Sequence, residues 1–322
     1  MHRLPPWLLV TTGTLLLGAA AVACSSSENK SSPLPLSDDT GGTKKRDSGA
    51  TSSSSSSSSG SSGEVPLEGG AASGRVYAHT RDTLYLFEPL GKKLSPIGKF
   101  DCITAADSVI DLAVDRSGAM YATTFHKFLT VDPTSAKCTV VKEEAATTYY
   151  PNSLSFVPIG TVDATKEALV GYAEDGNTGY IENYVRIEPS TGAMTTIGNL
   201  NPNGGVAGTY YDVAGDLVAL IRDANRAYVI VKPDAVTDGG APTDYLAEID
   251  PKTGTIKQIV GPTSQVNTYG FGYWAGKGYG FSADGRLTEI DMSTGKTTNV
   301  LSIDAGGGWY GAGVTTDSPV VP

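Results

Sequence analysis

Histidine, enzyme fingerprints and long apolar runs are what this chain has least of, and each shortage removes a class of function. Only three histidines occur in 322 residues, His2, His79 and His126. That is too few to furnish a zinc site or a Ser-His-Asp triad, and His79 and His126 fall at strand ends, where packing is the expected role. No G-x-S-x-G elbow, P-loop or dinucleotide fingerprint is present, so the chain lacks the usual scaffolds of those chemistries. The three cysteines contain no C-x-x-C pair, which argues against a redox centre. Basic residues are the minority, 24 against 34 acidic, for a net charge of −10; this disfavours nucleic acid and anionic lipid as partners. No metal or cofactor is implied. The longest apolar stretch, Leu8 to Ala23, is broken by Thr11, Thr12, Gly13 and Thr14 and is too short to span a bilayer comfortably.

That stretch has instead the proportions of a signal-peptide core, with His2 and Arg3 before it and Ala21-Val22-Ala23-Cys24 at its end. A cysteine directly after small residues resembles the bacterial lipobox. The resemblance implies that residues 1–23 are removed and that Cys24 is diacylated to become the mature N-terminus, anchoring the protein to a membrane. By the sorting rule of that class, Ser25 implies an outer membrane or cell surface. Losing Arg3 leaves 23 basic against 34 acidic residues, a net of −11. Once Cys24 carries lipid, Cys102 and Cys138 form an even pair in an oxidising compartment and are expected to make a disulfide. The linker over 24–73 is Ser-, Gly-, Pro- and Thr-rich, with eight consecutive serines at Ser52–Ser59. It has almost nothing to bury and is expected to be a disordered tether, with an r.m.s. reach of about 40 Å.

Residues 74–317 read as one all-β domain, followed by a tail at 318–322. Apolar residues come in short alternating runs separated by Gly, Pro, Asn and Asp, with no helical period. Five segments recur: Leu84–Gly91, Leu129–Ser135, Val185–Gly192, Ala247–Gly254 and Thr288–Gly295. Each is a strand ending in an acidic residue, mostly followed by Pro and Ser/Thr-Gly, and each leads into another strand. A carboxylate that caps turn N–H groups, a Pro that presets φ and a Gly that takes the left-handed position make a hairpin. Two further short strands precede most hairpins, and the acidic turn positions lie 41 to 62 residues apart. Four strands per unit at that spacing is the arithmetic of a propeller blade. The first unit lacks its innermost strand, while Trp309–Thr315 is left over at the end. The expected fold is therefore a five-bladed β-propeller whose C-terminal strand completes the first blade. The long insertions at 158–166 and 223–243 leave room for a sixth.

The Ile-Asp-Pro-x-Thr-Gly hairpins resemble those of bacterial exported β-propeller repeat proteins, a loose group related in style to TolB-like and YVTN-type propellers. That resemblance implies blades and a binding or scaffold role in the cell envelope, and no particular activity. The acidic turn residues are capping groups spread around a rim, not a cluster. Asp175–Gly179 has the composition of a calcium loop but departs from its pattern, and a polar turn is expected there. Aromatic pairs fall where one blade hands over to the next: Tyr149 and Tyr150, Tyr210 and Tyr211, Tyr269 with Trp274, and Trp309 and Tyr310. These connections surround one mouth of a propeller channel, so the rings are candidate stacking platforms for a polysaccharide or for an envelope protein. The enzyme alternative is a carbohydrate hydrolase or lyase using Asp111, Asp115 or Asp212 as funnel carboxylates. A third alternative is a purely structural envelope subunit binding through its blade faces.

Overall fold

The computed structural model describes residues 75–234, 242–302 and 308–320. The signal at 1–23, Cys24 and the linker at 24–73 lie outside the described residues. The described residues form five four-stranded antiparallel sheets. The first blade holds β1 (Val76–His79), β2 (Thr83–Glu88) and β3 (Lys93–Lys99); the second β4 (Asp111–Val114), β5 (Met120–Thr123), β6 (Lys127–Val131) and β7 (Cys138–Glu143). The third holds β8 (Leu154–Val157), β9 (Ala168–Glu174), β10 (Ile181–Glu188) and β11 (Ala193–Asn199). The fourth holds β12 (Tyr211–Leu220), β13 (Arg226–Pro233), β14 (Tyr245–Ile249) and β15 (Ile256–Pro262). The fifth holds β16 (Thr268–Trp274), β17 (Lys277–Ser282), β18 (Arg286–Asp291) and β19 (Thr297–Ser302).

The last strand, β20 (Gly311–Gly313), pairs with β1 through Tyr77, Ala78 and His79. It supplies the innermost strand of the first blade, so the two chain ends of the domain are closed into a ring as expected. Each blade would expose both faces alone, and burial comes from its neighbours. Five apolar clusters lie between adjacent blades, for example Tyr77 and Leu84 against Leu112 and Met120, or Tyr172 and Tyr184 against Leu217 and Val229. The disulfide joins Cys102, just after β3, to Cys138 at the start of β7, with Cα atoms 5.3 Å apart. It staples the outer edges of the first two blades.

One strand assignment needs correction. The sequence reading takes Gly208–Tyr211 and Asp216–Leu220 as separate strands, whereas Tyr211 and Asp216–Leu220 belong to one long inner strand, β12, irregular in register between Val213 and Leu217, and Gly208–Tyr210 precede it outside the sheet. The second strand of this blade, β13, begins inside the supposed insertion at 223–243. The extra strand that the insertion hides therefore completes the fourth blade and does not start a sixth. The insertion at 158–166 is loop.

The channel is narrow because the inner strands approach closely. A Cβ on Gly270 of β16 would come within 2.9 Å of the Gly311 backbone in β20, closer than any ordinary side chain allows. Glycines at these contacts let neighbouring inner strands nearly touch.

Candidate functional site

All five inner strands are edge strands, so each turns backbone N–H groups toward the channel. Two carboxyls answer them. Asp111 opens β4 and Asp216 lies in β12; both are fully buried. Asp111 Oδ1 accepts from its neighbour Leu112 N at 2.6 Å, and Oδ2 accepts from Leu154 N of β8. Asp216 Oδ2 accepts from Phe271 N of β16 at 3.0 Å and from Ala312 N of β20 at 2.5 Å. The two carboxyls are close enough for each to shift the other's titration, so a single pair of side chains links the inner strands of every blade. Burial, reinforced for Asp216 by the neighbouring Asp111 charge, holds both groups well above the usual carboxylate range. Three of the four oxygens take an N–H, while Asp216 Oδ1 takes none among the described residues. Of the four oxygens, Asp216 Oδ1 is thus the one left free to carry a proton between the pair.

His79, fully buried at the end of β1, stands beside this hub. The position of a Cβ on Gly311 would be 2.5 Å from His79 Nε2 and 2.8 Å from Asp111 Oδ1. Its Nδ1 donates to Thr80 O at 2.9 Å, which fixes the tautomer because a carbonyl only accepts. Burial pulls the imidazole down to about 4, so the ring is neutral near pH 7. Among the described residues no group of three His, Cys, Asp or Glu side chains is placed to hold a metal ion.

The far end of the channel is stoppered by the segment after β20. Ile221 N donates to Thr316 O at 2.9 Å and Ala275 N to Pro319 O at 2.6 Å. Arg222 Nε donates to Asp317 O at 3.1 Å, Thr316 Oγ1 donates to Glu167, and Arg116 stands 3.8 Å from the Asp317 carboxylate. Four blades thus hold the C-terminal segment across the channel, and Ser318, read from sequence as the start of a tail, is buried.

The opposite end is open. Here, just before the hub residues in each inner strand, lies a cavity of about 350 Å³ lined by Ile110, Phe125, Asn152, Lys232, Asp244, Asn267, Tyr269 and Tyr310, with Ile181, Val213 and Ala214. Phe125 and Tyr269 are 52% and 39% exposed, large fractions for aromatic rings. Tyr149, 44% exposed, continues the rim by packing edge-on against Phe125 at 6.3 Å and at a tilt against His126 at 4.9 Å. Asp244 is buried beneath the cavity, accepts from Thr268 N at 2.8 Å, and is held above its ordinary value by burial. Asn152 Oδ1 is buried without a partner.

The eight aromatic candidates divide. Tyr269 and Tyr310 line the cavity and Tyr149 its rim. Tyr210 packs against Tyr180 at 5.8 Å and Tyr211 against Tyr245 at 6.5 Å, neither among the lining residues. Tyr150 and Trp309 are buried between blades, and Trp274, at the other end of β16, packs on the cluster between the fifth and first blades. Phe125, in the β5–β6 turn, escaped the sequence reading because it stands alone rather than in a pair. The carboxylate candidates divide too. Asp111 sits in the sealed hub. Asp115 lies past the other end of β4, accepting from Ser117 N and Ala119 N, both at 2.8 Å, as a turn cap. Asp212 accepts from Ile181 N at 2.7 Å and pairs with Lys232 at 3.2 Å. Asp175 likewise closes its own turn, accepting from Asn177 N at 2.7 Å.

A five-bladed β-propeller, blocked at its centre and at one end and open at the other, is the class these observations define. No family model matches the chain, and no curated protein matches it. Among solved structures it is similar to BamB from Moraxella catarrhalis, at 17% identity and a TM-score of 0.32, covering 70% of this chain and 57% of that one. It is also similar to the computationally designed Ika8 protein, at 14% identity and a TM-score of 0.30, covering 70% of this chain and 58% of that one. The chain thus spans less than two thirds of either structure's length.

Proposed function

We propose that this chain is an exported lipoprotein, tethered through Cys24 at an outer membrane or cell surface, whose propeller binds a glycan at its one open mouth without cleaving it. One observation carries the reading: the cavity at the open end of the channel joins exposed aromatic rings to a small set of polar groups. Tyr269, Tyr310 and Phe125 offer flat apolar faces for a sugar ring. Asn152, Asn267, Lys232 and Asp244 offer the hydrogen bonds that would orient it. Glycosidic cleavage would need two carboxyl groups about 5–10 Å apart across the scissile bond. Asp111, Asp115 and Asp212 are instead committed to the hub, to a turn and to a salt bridge, which supports binding over hydrolysis.

The test uses the chain from Ser25 onward, without lipid, on an array of cell-wall and extracellular polysaccharides, with mass spectrometry of every hit. Binding without shortened products is expected, weakened roughly tenfold by Tyr269→Ala or Tyr310→Ala, about 1.4 kcal/mol. Shortened products would move the function to the carboxylates. Failure on every glycan would defeat the sugar reading and direct attention to a protein partner cross-linked at the Phe125 and Tyr149 rim.

A further inference from the structure

The open mouth leads nowhere. Its floor is the Asp111–Asp216 hub, fully buried and bonded to the inner strands. At the level of the hub, directly after the cavity-lining Tyr269 and Tyr310, the strands nearly touch at Gly270 and Gly311, and the exit is filled by Thr315–Ser318. A polymer cannot thread this channel. An internal segment of a chain would have to enter and leave through the same opening, and a cavity of about 350 Å³ lies near the bottom of the ~300–1,000 Å³ range of small-ligand sites. It has room for one or two sugar rings. A chain lying flat across the mouth would touch Phe125, Tyr149 and Tyr269 on the rim but not Asp244 and Asn152 below.

We infer that the mouth recognises the terminus of a glycan chain, inserted end-on, and that the terminal residue it accepts is uncharged or amino-bearing. The inference rests on the glycan reading above. Its second half follows from charge. Lys232 is the one cation lining the cavity, and it is already paired with Asp212 at 3.2 Å. Asp244 is the carboxyl among the lining residues, and the floor beneath holds the Asp111–Asp216 pair. A carboxylate or phosphate on the terminal sugar would enter a cavity with no spare cation among its described lining and would meet like charge at short range. Hydroxyl and amine donors meet acceptors there instead, including the buried, unpartnered Asn152 Oδ1.

Titration calorimetry on the chain from Ser25 onward separates end recognition from recognition along a chain. The probes are cello-, malto- and chito-oligosaccharides of two to eight units, cyclomaltohexaose, and the same linear sugars with either terminal unit oxidised to a carboxylate. For the series that binds, the molar affinity should stop rising beyond two or three units, and oxidation of one end should weaken it at least tenfold. If the malto series is the one that binds, the cyclic hexamer should bind at least tenfold more weakly than the linear one. Affinity that climbs steadily to eight units, a cyclic sugar that binds as well as its linear form, or indifference to terminal charge would overturn the inference while leaving glycan binding intact. No binding by any of these sugars, with positive array hits absent as well, would overturn the glycan reading and this inference with it.

Discussion

The hairpin that opens with Asp250 shows how much depends on single residues of the repeat. Asp250 Oδ1 accepts from Lys252 N at 2.8 Å, and Gly254 closes the turn at φ +70° with its N–H on Asp250 O at 2.7 Å. A Cβ on Gly254 would lie 2.3 Å from Cγ of Tyr184 in the preceding blade, and the Tyr172 hydroxyl donates to Gly254 O. The repeat glycine is therefore both a turn residue and the seat of an inter-blade contact. Gly254→Ala combines the left-handed penalty of ~1–2 kcal/mol with an overpacking cost of ~1–3 kcal/mol. Urea unfolding should show a loss of about 3 kcal/mol. The third blade repeats the device, with the Tyr150 hydroxyl donating to Gly192 O at 2.9 Å. Tyr150→Phe should cost about 1 kcal/mol of stability and leave glycan affinity unchanged, and Tyr269→Ala should do the reverse. Unchanged stability in the first or unchanged affinity in the second would undo that division of labour. The Tyr149-Tyr150 pair was legible as aromatic. Which ring faces solvent was not, because neighbouring residues in extended chain point to opposite sides and the side that becomes core depends on the next blade.

At the scale of elements, the hairpins were readable from local turn chemistry, the ring-closing strand β20 from a count of strands, and the disulfide from an even pair of cysteines. The hub was not, although its signal was present. Asp111-Leu-Ala-Val114 in β4 and Asp216-Leu-Val-Ala219 in β12 are the same inner-strand pattern in two blades. Treating Tyr211 and Asp216 as parts of different strands moved the fourth unit out of step and hid the match. Asp212 and Asp115, both read as funnel carboxylates, lie near opposite ends of their inner strands. The C-terminal stopper was also missed. Thr315-Thr-Asp-Ser318 is polar and turn-like, and its burial comes with hydrogen bonds to the third and fourth blades and an ion pair to the second, which no local pattern announces. The disulfide, by contrast, yields a plain expectation. It closes a loop of 36 residues, for which chain entropy estimates about 3–4 kcal/mol. Reductant, or the double change Cys102→Ser and Cys138→Ser, should lower unfolding stability by about that amount while the circular dichroism of the sheet persists. A loss well under 1 kcal/mol would mean that the blade interface already holds the loop without the bond.

For the molecule as a whole, the hub converts a problem of closed rings into a dependence on pH. Inner strands of a propeller have no further strand to pair with, and in this narrow channel two carboxyls take over that role while sharing a proton. Both are held above the carboxylate range in the fold, and an unfolded aspartate loses its proton near pH 4. The hub's contribution is therefore full below about pH 4 and declines as pH rises toward the folded-state values, by about 1.4 kcal/mol per pH unit for each proton retained. Other titratable groups act on the same curve, among them His79 beside the hub, so the comparison must be with a variant. In Asp216→Asn the amide N–H can replace the shared proton toward Asp111 while its oxygen still accepts from Phe271 N and Ala312 N. In Asp111→Asn the amide must face the N–H of Leu112 or Leu154, donor against donor. Unfolding measured from pH 4 to 9 should show wild type losing stability relative to Asp216→Asn with a slope near one proton, and Asp111→Asn destabilised by about 3 kcal/mol or more at every pH. Parallel curves for wild type and Asp216→Asn would mean that no shared proton holds the ring together. Equal damage from the two substitutions would mean that the proton does not sit on Asp216.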